Sequence, residues 1–248
     1  MVKGNWILCL LCICLFLPAC IVEINDDDDG GFNSNCIKGQ GGIVSADFNL
    51  DYFAGIKLQI NARVFVTQGS DQTVRVEAEQ NIIDLLELDV QNDIWEIEFN
   101  DCVRDHDVIS IFIQMPDIRF LSVSGPGVIR GENLFEVNEI DLRISGSGDM
   151  DLALNANHID SRISGSGKIF LEGNTEEFDF DISGSGDYRA FNLAALRGDI
   201  DVSGSGDSEV RVEDALDIQI NGSGDVYYRG FPALDVAING SGRVINAN

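Results

Sequence analysis

The chain is poor in positive charge. Lys and Arg together number 16 against 42 Asp and Glu, a net charge of −26. Nucleic acid and anionic lipid surfaces attract proteins through positive charge, so both are poor partners and no nucleic acid is expected. Only two histidines, His106 and His158, occur in 248 residues, which argues against a histidine-based active site. Helical periodicity of useful length is missing from the second half of the chain. No apolar run is long enough to cross a bilayer comfortably; the longest, Trp6 to Leu17, is short of the ~20 residues a spanning helix needs.

What the chain has in quantity is glycine, 26 residues, and much of it lies in one recurring phrase. Ile144-Ser-Gly-Ser-Gly-Asp149 returns, with small changes, from Ile163, Ile182, Val202, Ile220 and Ile238. The Ser or Asn after each of these falls at 145, 164, 183, 203, 221 and 239, in steps of 19, 19, 20, 18 and 18. A degenerate copy, Val123-Ser-Gly-Pro-Gly127, comes before them. So regular a period marks a repeat architecture.

Each copy follows an alternating run, for example Ile140-Asp-Leu-Arg-Ile144 or Phe178-Asp-Phe-Asp-Ile182. Period 2 means a strand with one apolar face. The Gly-x-Gly suits a corner, where φ turns positive or another backbone comes close. A second short strand follows at Leu152/Leu154 and Val210/Val212. A unit of about 19 residues is too short for a propeller blade but fits one coil of a solenoid. The expectation is an all-β, single-domain parallel β-helix, right-handed as crossovers between parallel strands are. The residue before each corner, from Ile144 to Ile238, forms an inward column stacked at about 4.8 Å.

Residues 1–19 read as an export signal and not as structure: Lys3, then the apolar run, then Leu17-Pro-Ala-Cys20 with no Ala-x-Ala site. That ending resembles the lipobox of bacterial lipoproteins, which implies lipid attachment at Cys20 and a membrane held through that anchor alone. Cys9, Cys12 and Cys14 leave with the signal. Residues 20–46 form an acidic, Gly-rich tether. Its Asn25-Asp-Asp-Asp-Asp29 imitates an EF-hand opening, but the closing Glu would fall on Cys36. Acidic residues after a lipidated Cys resemble signals that send lipoproteins to the outer surface, so the expected place is the outer membrane of a Gram-negative bacterium, facing outward. Residues 47–123 then give irregular coils, with 81–89 as a helical turn or a further strand, and 124–248 give the regular repeats.

Phe53-Ala-Gly-Ile56, Trp95-Glu-Ile97 and Met115-Pro116, running into the train of Ser-Gly-Ser-Gly corners, resemble the head GIN-domain family of auto-transporter adhesin type. The resemblance covers residues 47–248. It implies a β-helix without a known catalytic set. Cys36 and Cys102 remain in the mature chain. In an oxidising envelope they are expected to pair and pin the start of the domain, the alternative being two free thiols.

Three outward charged rows follow from the repeat. One is Asp141, Asp160, Asp179, Asp199, Asp217 and Asp235; beside it run Arg143, Arg162, Asp181, Asp201, Gln219 and Ala237. A third, after the corners, is Asp149, Lys168, Asp187, Asp207, Asp225 and Arg243. Asp179, Asp181, Asp199 and Asp201 are candidates for weak Ca2+ binding, since calcium takes hard oxygen ligands; the plainer reading is a solvated face. The corner serines lack the strand-to-helix elbow of a catalytic Ser.

Two function classes compete. One is a non-catalytic envelope lipoprotein, adhesin-like or structural, with a glycan or protein ligand. The other is a carbohydrate-active β-helix enzyme, a lyase or hydrolase. Such enzymes need long loops around a groove, and coils of 18–21 residues leave little room for them, which favours the first. The chain stops partway through a coil, so self-association through the C-terminal coils is expected.

Overall fold

The structure is a computed structural model and describes residues 36–248. Cys20 and the Asp26–Asp29 run lie outside the described residues. The described chain winds as a β-solenoid. On one face Phe120–Val123, Glu139–Ile144 and the ends of Asp149–Ile163, Lys168–Ile182, Asp187–Val202 and Ser208–Ile220 stack parallel and in register, closing on Ala233–Ile238. The expected column forms residue on residue: Val123, Ile144, Ile163, Ile182, Val202, Ile220, Ile238. From Val123 to Ile220 these side chains are at most 1 % exposed. Phe178, Phe180 and Tyr188 add a buried stack to the core, with centroids 4.1 and 4.3 Å apart. The Tyr188 hydroxyl would be costly to bury alone; it donates to Ser161 Oγ at 3.0 Å.

The corner glycines are there for close approach and not for positive φ, which among the described glycines is found only at Gly41, Gly173 and Gly230. A Cβ on Gly165 would lie 1.9 Å from the carbonyl oxygen of Gly146, and one on Gly206 only 1.7 Å from that of Gly186. Successive corners therefore sit backbone on backbone, and any side chain would force the coils apart.

The region before Val123 is more ordered than its sequence suggested, but its coils do not stack in chain order. Ile94–Ile97, edged by the antiparallel Val90–Gln91, is the first of the parallel strands, Gly55–Leu58 stacks on it, and Phe120–Val123 stacks on that. On the other face the order is Ile109–Met115, Ala62–Gln68, Val128–Gly131. Between its visits to the stack the chain makes Thr73–Glu79, antiparallel to Ile109–Met115, and a helical turn Gln80–Ile83. Ile82, Ile83, Leu86 and Trp95, all at most 5 % exposed, close this end of the core. Trp95 Nε1 donates to the Glu87 carbonyl at 3.0 Å. Cys36 and Cys102 are joined by a disulfide, Cα to Cα 4.7 Å, and Ile37–Lys38 pairs with Val103–Arg104 beside it.

The opposite end differs. Ile238 continues the inward column in register, yet it is 44 % exposed, with Leu234 and Val236 similarly open. The sequence pattern assigned Ile238 to the interior; its coil has a neighbour on one side only among the described residues, so the column ends open.

Candidate binding face and charged rows

Alternation puts Val64 and Val66 of Ala62–Gln68, and Ile111 and Ile113 of Ile109–Met115, into the core. The residues between them, Phe65 and Phe112, point outward as register partners. Their rings stack at 5.0 Å and 13°. Thr73–Glu79 and then Ile43–Phe48 extend this sheet antiparallel, and its outer surface makes an open concavity of about 760 Å³. Arg75 projects into it and donates from Nε to Asp47 Oδ1 at 2.8 Å. Asn49 and Gln72 also line the concavity, and Gln72 ties down the chain that follows Asn49. Gln72 Oε1 accepts from the Phe53 amide at 3.0 Å, and Nε2 donates to the Asp51 carbonyl at 2.9 Å. Thr67, Thr73, Glu77 and Glu132 also line the face and make no side-chain hydrogen bond among the described residues. Sequence reasoning missed this face. The signal was a pair of neighbouring outward Phe, in a row that continues through Arg130 and Asp151.

The predicted charged rows form as registers. Asp141, Asp160, Asp179, Asp199, Asp217 and Asp235 are consecutive partners, and so are Arg143, Arg162, Asp181, Asp201, Gln219 and Ala237. Burial, then the neighbouring charges of Glu177 and Asp160, push the Asp179 carboxyl up against a partial pull from His158. Burial and the charges of Asp179, Asp217 and Asp201 push Asp199 up. Ionised Asp179 and Asp199 are therefore each less comfortable than in water.

The four calcium candidates do not converge. Asp179 stacks on Asp199 and Asp181 on Asp201 as two separate rungs. Asp181 accepts from Arg162 Nε at 3.0 Å, Asp201 accepts from the Ser203 hydroxyl at 3.2 Å, and Asp179 Oδ2 lies 3.8 Å from His158 Nε2. Among the described residues no three His, Cys, Asp or Glu side chains are grouped to hold a metal ion.

The third row has a structural task that sequence reading did not foresee. Each corner Asp turns its Oδ1 to the backbone N–H of the matching residue in the next coil. Asp149 accepts from Lys168 at 2.8 Å, Asp187 from Asp207 at 3.0 Å, Asp207 from Asp225 at 2.8 Å and Asp225 from Arg243 at 2.9 Å. Where Lys168 replaces Asp, its Nζ reaches Asp187 at 3.4 Å instead. Burial raises the Asp187 carboxyl, but the Asp207 amide, Arg189 and Lys168 outweigh it and hold the group below the usual range. The Arg243 hydrogen bond does the same for Asp225.

A family profile described as "Putative auto-transporter adhesin, head GIN domain" matches residues 52–232. Solved structures share the fold. A putative adhesin from Bacteroides fragilis superposes with a TM-score of 0.79 at 22 % identity, over 85 % of this chain and 99 % of that one. A putative adhesin from Parabacteroides distasonis gives 0.67 at 26 % identity over the same shares. A putative lipid binding protein from the same species gives 0.72 at 20 %, again over 85 % and 99 %. No curated protein matches the chain.

Proposed function

The chain belongs to the head GIN-domain family of auto-transporter adhesin type, and from that premise we propose that it is a non-catalytic, adhesin-like lipoprotein of the cell envelope. The signal at 1–19 delivers it, Cys20 carries the lipid, the 20–46 tether gives reach, and the solenoid is presented outward from the outer membrane. Relatives from Bacteroides and Parabacteroides bearing adhesin names support the envelope surface as its place. No helix among the described residues is long and apolar enough to cross a membrane.

The observation that carries the reading is the division of labour on the surface. Asp149, Asp187, Asp207 and Asp225 are spent on holding coil to coil, and the paired Asp rows present the same rung repeatedly. The concave face breaks this monotony with aromatic and hydrogen-bonding groups side by side, the make-up of a recognition surface. Fold alone does not assign function, so the test lies in the cell. Cells producing the full chain should adhere to epithelial or mucin-coated surfaces. Cys20→Ser should lose both incorporation of a palmitate analogue and adherence. Equal labelling of the two proteins sinks the anchor, and no adherence by cells with surface-exposed wild type sinks the adhesin reading.

A further inference from the structure

We propose that the concave face binds a neutral carbohydrate chain, with Phe112 as the stacking platform and the Asp47–Arg75 pair as its hydroxyl clamp. The inference rests on the adhesin-like reading and names its ligand class.

Phe112 is 39 % exposed, although every second residue of its strand is buried in the core. Its ring stacks on that of Phe65 in the neighbouring strand, and its register partner on the other side is Arg75, so the face not covered by Phe65 turns toward the Asp47–Arg75 pair. A pyranose offers one face of C–H groups and an equatorial rim of hydroxyls. The first needs a flat apolar plate; the second needs planar polar groups at the plate's edge. Asp47 and Arg75, held together at 2.8 Å, supply an acceptor and a donor fork in fixed relation. Gln114, register partner of Thr67 and so beside Phe112 on the outer face, adds an amide whose Nε2 is already anchored to the Asp71 carbonyl at 3.1 Å. Thr67 and Thr73 contribute hydroxyls that no described residue engages. The volume, about 760 Å³, falls within the ~300–1,000 Å³ of small-ligand sites. The face is open and lacks the deep apolar pockets that anchor peptide side chains. Charge narrows the class further. The face itself carries Asp47, Glu77 and Glu132 against Arg75 alone, which disfavours sialylated or sulfated chains and makes the sugar neutral.

The test uses the full-length protein in detergent on an array of neutral and anionic oligosaccharides. Wild type should retain neutral glycans and not their sialylated counterparts. Phe112→Ala should weaken binding by about tenfold, the worth of one aromatic contact. Phe170→Ala, at an equally exposed Phe further along the same outward row, should leave binding unchanged. Full binding by Phe112→Ala with unchanged melting temperature overturns the site. If wild-type protein retains no glycan while cells producing it still adhere to a deglycosylated protein surface, the ligand is a polypeptide: the carbohydrate inference is wrong and the adhesin reading stands. Failure of adherence altogether removes both.

Discussion

Replacing Ile182 and its neighbour Asp181 tests the register on which the fold depends. Ile182 is fully buried between Ile163 and Val202, and its Cγ2 sits 3.1 Å from where a Cβ on Gly206 would be. Truncation to Ala removes its buried methyl groups and leaves a void that rigid coils above and below cannot fill. Such Ile→Ala changes cost about 2–5 kcal/mol. At roughly 2–4 °C per kcal/mol for a domain of this size, the melting temperature should fall by about 4–20 °C. Ile182→Asp should leave no folded protein, since an unpaired charge would enter a continuous apolar column. Asp181 faces outward and gives up, on change to Asn, one exposed ion pair with Arg162 while losing its repulsion with Asp201. Exposed pairs are worth at most about 1 kcal/mol, so Asp181→Asn should melt within a few degrees of wild type. Thermal melts by circular dichroism decide the matter. Equal shifts from Ile182→Ala and Asp181→Asn would mean that the strand faces are assigned wrongly, because a slip of one residue exchanges them.

Gly206→Ala should destabilise the domain even though it adds a single methyl group, because its Cβ meets the Gly186 carbonyl at 1.7 Å; a melting temperature equal to wild type would refute backbone-on-backbone corners. Cys102→Ser opens a loop of 66 residues, which in the chain-entropy view removes up to about 4 kcal/mol; reductant should lower the wild-type melting temperature and leave the variant unaffected. Acid should act in two opposite stages. Asp179 and Asp199 have raised folded pKa values, so they bind protons more readily folded than unfolded, and stability gains as pH falls through the folded values. Asp187 and Asp225 have lowered values, so their contribution is complete above the ordinary carboxylate pKa of about 3.9 and is lost as pH falls through the folded values. A melting profile should rise and then drop on acidification, and Asp179→Asn with Asp199→Asn should abolish only the rise. CaCl2 and NaCl at equal ionic strength should stabilise wild type alike, and a stoichiometric calcium heat lost in the quadruple Asn variant of 179, 181, 199 and 201 would contradict that. The exposed Leu234, Val236 and Ile238 should drive concentration-dependent association in light scattering, suppressed by Ile238→Arg; a strict monomer at high concentration would count against it.

The repeats were legible because a solenoid translates sequence period directly into spatial neighbours. Asp179 and Asp199 are 20 residues apart and one rung apart, and no other fold information was needed to pair them. The Ser-Gly-Ser-Gly phrase gave the corner, but its chemistry was misjudged in one respect. The Asp that closes it looked like surface charge, whereas its Oδ1 bonds the next coil's amide, a contact visible only once the coils are stacked. The stacking order before Val123 could not be read, since placing Gly55–Leu58 between Ile94–Ile97 and Phe120–Val123 rests on contacts far apart in sequence. The concave face was lost for the same reason. Phe65 and Phe112 are 47 residues apart in the numbering and come from strands without a shared repeat, so nothing local announced that they would meet.

The central claim is that recognition resides on the concave face and not on the acidic rows. Binding of full-length protein to an immobilised glycoprotein stripped of sialic acid and sulfate measures this directly, comparing Phe65→Ala/Phe112→Ala with the quadruple Asn variant at 179, 181, 199 and 201. The account predicts that the quadruple variant binds like wild type and the double Phe variant does not bind. Loss of binding in the quadruple variant, with full binding by a folded double Phe variant, would contradict it.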